Sequence, residues 1–362
     1  MVLLETSRRF AWAVMLTAVF GIAMSSCTNQ GRRGDDDDSA SDDDDSAADD
    51  DDSADDDDDS ADDDDSADDD DSADDDDSAD DDDSADDDDS ADDDTPGAAA
   101  THISAGSSHS CGIHGDGTLQ CWGSNTYGQL TSPPGAFAQV SSGYYHSCAV
   151  ASSGSVQCWG YNAGGQATPP SGSFSQVSSG GLHSCGIRVG GTLQCWGAGQ
   201  VNTGSWPDLG QAAPPTGTFV QVSAGYAYTC AVELGGAIAC WGDNPLGQAA
   251  PPNGTFSQVS SGYHHSCGLT DVGLVQCWGD NNSGQAPPAS VAFTQVSVGL
   301  AHTCALDGAG AAQCWGVGTQ GQPPPTGSFA ELDAGEYHTC ALDGLGNYAC
   351  WGEDGDGQST AP

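Results

Sequence analysis

Seven cysteine pairs, each with nine residues between its members, constrain this chain more than any other feature. They fall at Cys111/Cys121, Cys148/Cys158, Cys185/Cys195, Cys230/Cys240, Cys267/Cys277, Cys304/Cys314 and Cys340/Cys350, and the first members follow one another by 37, 37, 45, 37, 37 and 36 residues. A fixed period of this length marks a stack or ring of small units, none of which buries its apolar face alone. Around each pair the same phrase recurs: Gln-Val-Ser-x-Gly, two variable residues, His-Ser/Thr-Cys, a glycine-containing turn, Cys-Trp-Gly, then Gly-Gln and Pro-Pro. Gln258 to Pro288 is a typical copy.

The phrase converts to strands. Gln139 to Ser142 is a short run ended by Gly143 and reads as strand A; His146 to Val150 is strand B. A turn near Ser152 to Ser155 leads into Val156-Gln157-Cys158-Trp159, strand C. In a B–C hairpin centred on that turn, Cys148 and Cys158 lie directly opposite, close enough to bridge. The expected core is Val, Ala, Leu and the seven tryptophans after the second cysteines (Trp122, Trp159, Trp196, Trp241, Trp278, Trp315, Trp351), thin in aliphatics. Seven short disulfide loops, worth about 2.5–3 kcal/mol each in the chain-entropy model, offset that thinness. An open solenoid needs altered capping repeats, and neither terminal copy is altered. A closed propeller takes roughly four to eight blades. The reading is all-β: a seven-bladed β-propeller of three-stranded repeats of about 37 residues over 101–362, preceded by a disordered acidic tail.

The remainder of the chain divides in two. Residues 1–26 read as a lipoprotein signal peptide: Arg8 and Arg9, an apolar stretch from Phe10 to Met24, then Ser25-Ser26 before Cys27. The stretch is short for a membrane span, which needs about 20 residues. Met24-Ser25-Ser26-Cys27 resembles a lipobox, which makes Cys27 the lipidated residue, and Thr28 after it points to the outer membrane or cell surface. Residues 27–100 are a lipid-anchored spacer. Of the 55 acidic residues in the chain, 40 are Asp between Asp35 and Asp94, in repeats of Asp-Asp-Asp-Asp-Ser-Ala. Such a segment buries nothing apolar and repels itself into an extended coil, a stalk. An even set of paired cysteines behind an export signal reads as a disulfide framework in an oxidising compartment.

The repeated Gly-x-x-His-Ser-Cys-Ala-Leu and Trp-Gly-x-Asn-x-x-Gly-Gln pattern resembles the regulator of chromosome condensation repeat. Its short period is similar to that of the bacterial β-lactamase-inhibitory propeller. The resemblance covers residues 101 to 362 and implies a propeller that binds a protein; the paired cysteines depart from the family. The nucleotide-exchange activity of the eukaryotic relatives is not expected of an exported lipoprotein.

Function classes follow by exclusion. The chain has no lysine and, after residue 100, one basic residue, Arg188; phosphate neutralisation requires clustered Lys and Arg, so nucleic acid is not a partner. The repeated His109, His146, His183, His265, His302 and His338, with Tyr228 in the fourth copy, read as one hydrogen bond per blade rather than metal ligands. No metal or cofactor is expected, and no nucleophile elbow, metal helix or phosphate loop marks an enzyme. Hydrolysis resting on a non-repeated residue such as His114 or His264 would revive that class.

The informative positions are those where repeats disagree: the two residues before the motif histidine, and an eight-residue insertion after Gly197 that carries Trp206. If strand A runs up, both lie at one end of the ring. Tyr144, Tyr145, Trp206, Tyr226, Tyr263, His264 and Tyr337 are therefore the candidate binding face for a protein or glycan, on a monomer tethered to the bilayer. The rival is a passive envelope protein with no specific ligand; a secreted hydrolase or an inhibitor of a secreted enzyme ranks behind both.

Overall fold

The computed structural model describes residues 99–286, 291–317 and 323–362; the signal segment, Cys27 and the acidic spacer lie outside the described residues. Seven three-stranded antiparallel sheets follow one another along the chain, each with its strands in sequence order. Blade 1 is β1–β3 (Ala100–Ala105, His109–His114, Leu119–Gly123) and blade 2 is β4–β6 (Phe137–Ser142, His146–Ala151, Val156–Gly160). Blade 3 is β7–β9 (Phe174–Ser179, His183–Arg188, Leu193–Gly197), after which the insertion forms a small hairpin, β10 and β11 (Asn202–Ser205, Asp208–Leu209). Blade 4 is β12–β14 (Phe219–Ala224, Tyr228–Glu233, Ile238–Gly242) and blade 5 is β15–β17 (Phe256–Ser261, His265–Thr270, Val275–Gly279). Blade 6 is β18–β20 (Phe293–Val298, His302–Asp307, Ala312–Gly316) and blade 7 is β21–β23 (Phe329–Ala334, His338–Asp343, Tyr348–Gly352).

In each blade the cysteines face one another across the second and third strands, with a Cα–Cα distance of 4.0–4.1 Å. The disulfides are Cys111–Cys121, Cys148–Cys158, Cys185–Cys195, Cys230–Cys240, Cys267–Cys277, Cys304–Cys314 and Cys340–Cys350. The spacing treats the two members of a pair alike; the structure does not. All seven first members are fully buried, because they lie on the middle strand with a neighbour on either side. Cys121, Cys158, Cys240, Cys277, Cys314 and Cys350 are only half-buried. They stand on the third strand, which is paired on one side alone. Cys195 is the exception, buried in a cluster with Ala212 and Phe219.

The first strand of blades 2–7 begins at a phenylalanine, two residues before the expected Gln. The six rings are buried between neighbouring blades: Phe137, for example, packs with Cys111 and Ile113 of blade 1 and with Val140, Ala149 and Trp159 of its own blade. Phe137 and Val140 are three apart, so strict alternation would send them to opposite faces. A register shift between Phe137 and Gln139 inserts the odd residue and puts both in the core; every blade has the same shift. The core is therefore more aromatic than Val, Ala, Leu and Trp alone. Blade 1 has Ala100 where the others have Phe, and at that junction Tyr348 of blade 7 fills the space, its ring 5.1 Å from Trp122.

Polar residues of the repeat stitch the blades into a ring. Around the axis, Gln139 donates to Val177 O and accepts from Val177 N, each at 2.8 Å, and Gln221 repeats this on Val259. One layer on, the Ser141 hydroxyl accepts from Ser179 N at 3.0 Å. Further out runs a third set: His109–Ser147, His146–Ser184, His183–Thr229, Tyr228–Ser266, His265–Thr303, His302–Thr339 and His338–Ser110, at 2.7–2.9 Å. The last link joins blade 7 to blade 1, so the ring closes between two complete sheets without strand exchange. Trp159 Nε1 donates to Gln129 O of the preceding repeat, and Trp122 Nε1 donates in the same way to Gln358 O near the end of the chain.

The closing junction differs in charge. Where other copies carry Gln and Ser, blade 1 presents His102 and blade 7 presents Glu331 and Asp333. His102 Nε2 lies 3.1 Å from Val140 O and Nδ1 lies 2.6 Å from Glu331 Oε1, so both nitrogens donate and the ring is an imidazolium. Burial opposes that charge, but the hydrogen bond and charge of Glu331 outweigh it and raise the His102 pKa above the usual 6.5. Asp333 accepts from Ala105 N, Ser104 Oγ and Ser297 Oγ, while burial still holds its carboxyl above the ordinary range.

Candidate functional site

The face at one end of the ring is built by a tight turn. In all seven blades the glycine after the first strand donates its N–H to the carbonyl of the motif His or Tyr three residues on, as in Gly143 N to His146 O at 2.8 Å. The two residues between stand at the corner and differ from copy to copy; Ser107, Gly181 and Ala227 are buried there, and the others are half-buried or exposed. Glycine is required there by crowding: a Cβ on Gly143 would sit 2.6 Å from Gly180 O. The segment after the third strand reaches the same end, because the residue after Cys-Trp-Gly donates its N–H to the second corner residue: Tyr161 N to Tyr145 O, Asp243 N to Ala227 O, Asp280 N to His264 O and Glu353 N to Tyr337 O. Asn162 shapes that segment by accepting from Ala167 N, and the other loop asparagines do the same.

The corners and loops bring seven aromatic rings and one imidazole into a continuous series of contacts. Tyr226 lies between Trp206 and Tyr263, with centroids 5.1 and 4.1 Å away and planes within 6° and 12° of parallel. Tyr144, from blade 2, meets the edges of Tyr226 at 4.9 Å and Tyr263 at 5.8 Å, in blades 4 and 5. It therefore crosses the axis and covers a cavity of about 60 Å³ ringed by the corner glycines. Tyr145 continues the series outward to Tyr127 and Tyr161, and Tyr263 meets His264 at 4.3 Å. Trp206, Tyr127 and Tyr145 keep 48%, 47% and 36% of their surface exposed, enough for contact with a partner.

Of the residues singled out from sequence, Tyr144, Tyr145, Trp206, Tyr226, Tyr263 and His264 share this cluster. The hairpin tip carries Trp206 there because Asp208 Oδ1 accepts from Gly199 N and Gln211 Nε2 donates to Pro207 O. Tyr337 stands apart, at the blade 7 corner beside Glu336. Tyr127 and Tyr161 are additions; both sit in the post-Trp-Gly loop, where other copies carry non-aromatic residues. The half-cystines lie within the blades as staples, and the ring contacts of this face involve none of them. Burial raises the pKa of Tyr144 well above its usual value, pushes Tyr226 to about 12 and raises Tyr145. Burial also lowers His264, against the pull of Asp280 and Asp243, so the imidazole adds no charge at neutral pH.

The histidine ring has a different chemistry. The Ser184 hydroxyl spends its proton on Gln166 O at 3.0 Å, so it accepts from His146, whose Nε2 must carry the hydrogen. His183 and His338 donate in the same way to Thr229 and Ser110; all six Nε2 atoms lie within hydrogen-bond distance of a hydroxyl of the next blade, and the six Nδ1 atoms are buried without a partner. Burial depresses these histidines to about 3 or 4. They are neutral cross-links. Among the described residues no three His, Cys, Asp or Glu side chains gather as a metal site. The axial cavity of about 200 Å³ beneath is lined by the Gln, Val and Ser side chains of the ring and by His102, Glu331 and Asp333, all engaged in closure.

Fold and face together define a closed, disulfide-stapled propeller whose distinguishing surface is a set of loops at one end, in general terms a protein-binding module. Blades 1, 2, 4 and 5 match the repeat profile of the regulator of chromosome condensation (RCC1), over residues 100–129, 137–166, 219–248 and 256–285. No curated protein sequence matches the chain. Among solved structures it is similar to the CRINKLY WD40 ectodomain of the Arabidopsis thaliana receptor kinase ACR4, with 25% identity over 70% of this chain and 97% of that one, TM-score 0.58. The ectodomain of the Physcomitrella patens receptor kinase CR4 aligns at 23% identity over 70% and 73% of the two chains, TM-score 0.61. Prp20p of Saccharomyces cerevisiae aligns at 16% over 72% and 84%, TM-score 0.56; these last two show the fold alone.

Proposed function

We propose that this chain is an exported, lipid-anchored protein whose propeller head holds a protein partner on the aromatic face. The observation that carries the reading is the unbroken run of rings from Tyr127 to His264, drawn from corners and loops that the repeat leaves free to vary. Large, rigid aromatics clustered at one end supply contact area at little entropic cost, the composition of binding hot spots. Support for the location comes from the sequence: the lipobox-like Met24 to Cys27, the acidic stalk, and seven disulfides that require an oxidising compartment. The similarity to a receptor-kinase ectodomain agrees with display outside the cytoplasm. Replacing Tyr145, Trp206 and Tyr263 together by Ala should abolish capture of the partner from envelope extracts while the thermal midpoint stays nearly constant. Unchanged capture would remove the face from consideration. Intact mass with and without reductant reports the lipid on Cys27 and the number of bridges.

A further inference from the structure

We infer that the aromatic face takes an arginine-bearing segment of its partner, one guanidinium stacking on the open face of Trp206 and a second entering the mouth of the ring beside Glu336. This rests on the binding-face reading and adds the chemistry of the ligand. Tyr226 has both of its faces occupied, by Trp206 and Tyr263. Trp206 has one stacking partner, Tyr226, and keeps 48% of its surface exposed at the end of the stack. An electron-rich face of this kind attracts cations, and the planar guanidinium fits it best.

Charge points the same way. Carboxylates stand at this end: Asp243, Asp280 and Glu353, each tied by its backbone to a corner residue, and Glu336 at a corner itself. Glu336 shares the lining of the mouth with Tyr144 and accepts from the Ser107 hydroxyl, and its charge adds to burial, the larger cause, in raising the pKa of Tyr144, Tyr145 and Tyr226. Among the described residues no Lys or Arg answers these groups. Among the described residues the only ion pair is His102–Glu331 inside the ring. The only arginine there, Arg188, ends the second strand of blade 3 at the opposite end, over Phe174 and bound to Ser171 O and Gln194. A surface of rings and carboxylates with no positive charge of its own is complementary to a cationic segment. An uncharged glycan would leave the carboxylates unanswered.

The full chain, spacer included, should be titrated at physiological salt with a labelled Gly/Ser decapeptide carrying two arginines, the same peptide with two glutamates, one with neither, and chitotetraose. The arginine peptide is expected to bind saturably, about tenfold more weakly to Trp206→Ala and about threefold more weakly to Glu336→Gln. Asp116→Asn, in a turn at the far end, should leave binding unchanged, which separates the face from general attraction to the acidic spacer. The inference is overturned by equal binding to the Trp206 variant, by the uncharged peptide binding as well, or by no saturable binding. A Trp206-dependent affinity for chitotetraose or the uncharged peptide would keep the aromatic face and discard the cation.

Discussion

Mild acid should unfold this domain through its six buried histidines. Burial holds His109 and His302 at about 4 and His146, His183, His265 and His338 at about 3. In the unfolded chain they return to the ordinary value near 6.5. Between about pH 4 and 6.5 the unfolded state therefore binds more protons, so stability is complete above 6.5 and declines as the pH falls. At pH 5 each histidine is about 1.5 units below its unfolded pKa, which at 1.36 kcal/mol per unit costs about 2 kcal/mol. Six together approach about 12 kcal/mol, comparable to the whole stability of a typical domain. His102 and Asp333 work in the opposite direction. Both pKa values are raised by folding, so His102 contributes most below 6.5 and the strain on Asp333 relaxes as it protonates. They offset a part of the loss. Asp116, Asp343 and Asp354, with lowered values, act only below about pH 4. Urea unfolding followed by tryptophan fluorescence, with disulfides intact and ionic strength fixed from pH 8 to 5, should show about five protons taken up on unfolding near pH 5. His146→Tyr, copying the residue that blade 4 uses at Tyr228, should lower that number by about one. An uptake below about two protons, or no change in the variant, would refute the titration of the ring as the cause.

Five further outcomes test the fold and face. Cys185→Ser with Cys195→Ser should lower urea stability by about 2.5–3 kcal/mol, the entropy of one short loop. Glu331→Leu strips His102 Nδ1 and Ile103 N–H of their acceptor at the closing junction and should cost about 1–3 kcal/mol. The pair His102→Gln with Glu331→Gln should recover most of this, since it installs the arrangement of the other junctions. Removing residues 358–362 takes the Gln358 carbonyl from Trp122 and Ser110; hydrogen exchange should then quicken first in blades 1 and 7. Tyr127→Ala is expected to weaken partner capture severalfold without moving the thermal midpoint, because nearly half of the ring is exposed.

The ring architecture was legible because period, cysteine spacing and strand alternation agree, and each answers to local physics. The bulge that buries Phe137 was not: a register shift leaves no mark on a pattern of period two, which starts the strand at Gln139. Nor does spacing separate a fully buried Cys111 from a half-buried Cys121, since that difference depends on which strand has neighbours on both sides. Tyr127 and Tyr161 lie in a loop whose proximity to the corners depends on the curl of the chain after Trp-Gly. Their signal was available, as aromatic residues at positions that other copies fill with non-aromatic ones. The closing junction was also written in the sequence, in His102, Glu331 and Asp333, which depart from a repeat that otherwise has Gln and Ser there. What hid it is that Gln and Ser in a short strand read as solvent-facing, whereas here they line the axis and bond the neighbouring blade.

The histidine-to-hydroxyl links all point the same way around the axis, so each blade gives to the next and takes from the one before. The junctions made by a histidine and a hydroxyl are alike on this account, and a duplicated blade spliced between blades 5 and 6 would meet the partners it needs on both sides. The same duplicate placed between blades 7 and 1 would part an acid from its base. Growth by copying is thus open at the neutral histidine junctions and closed at the charged clasp.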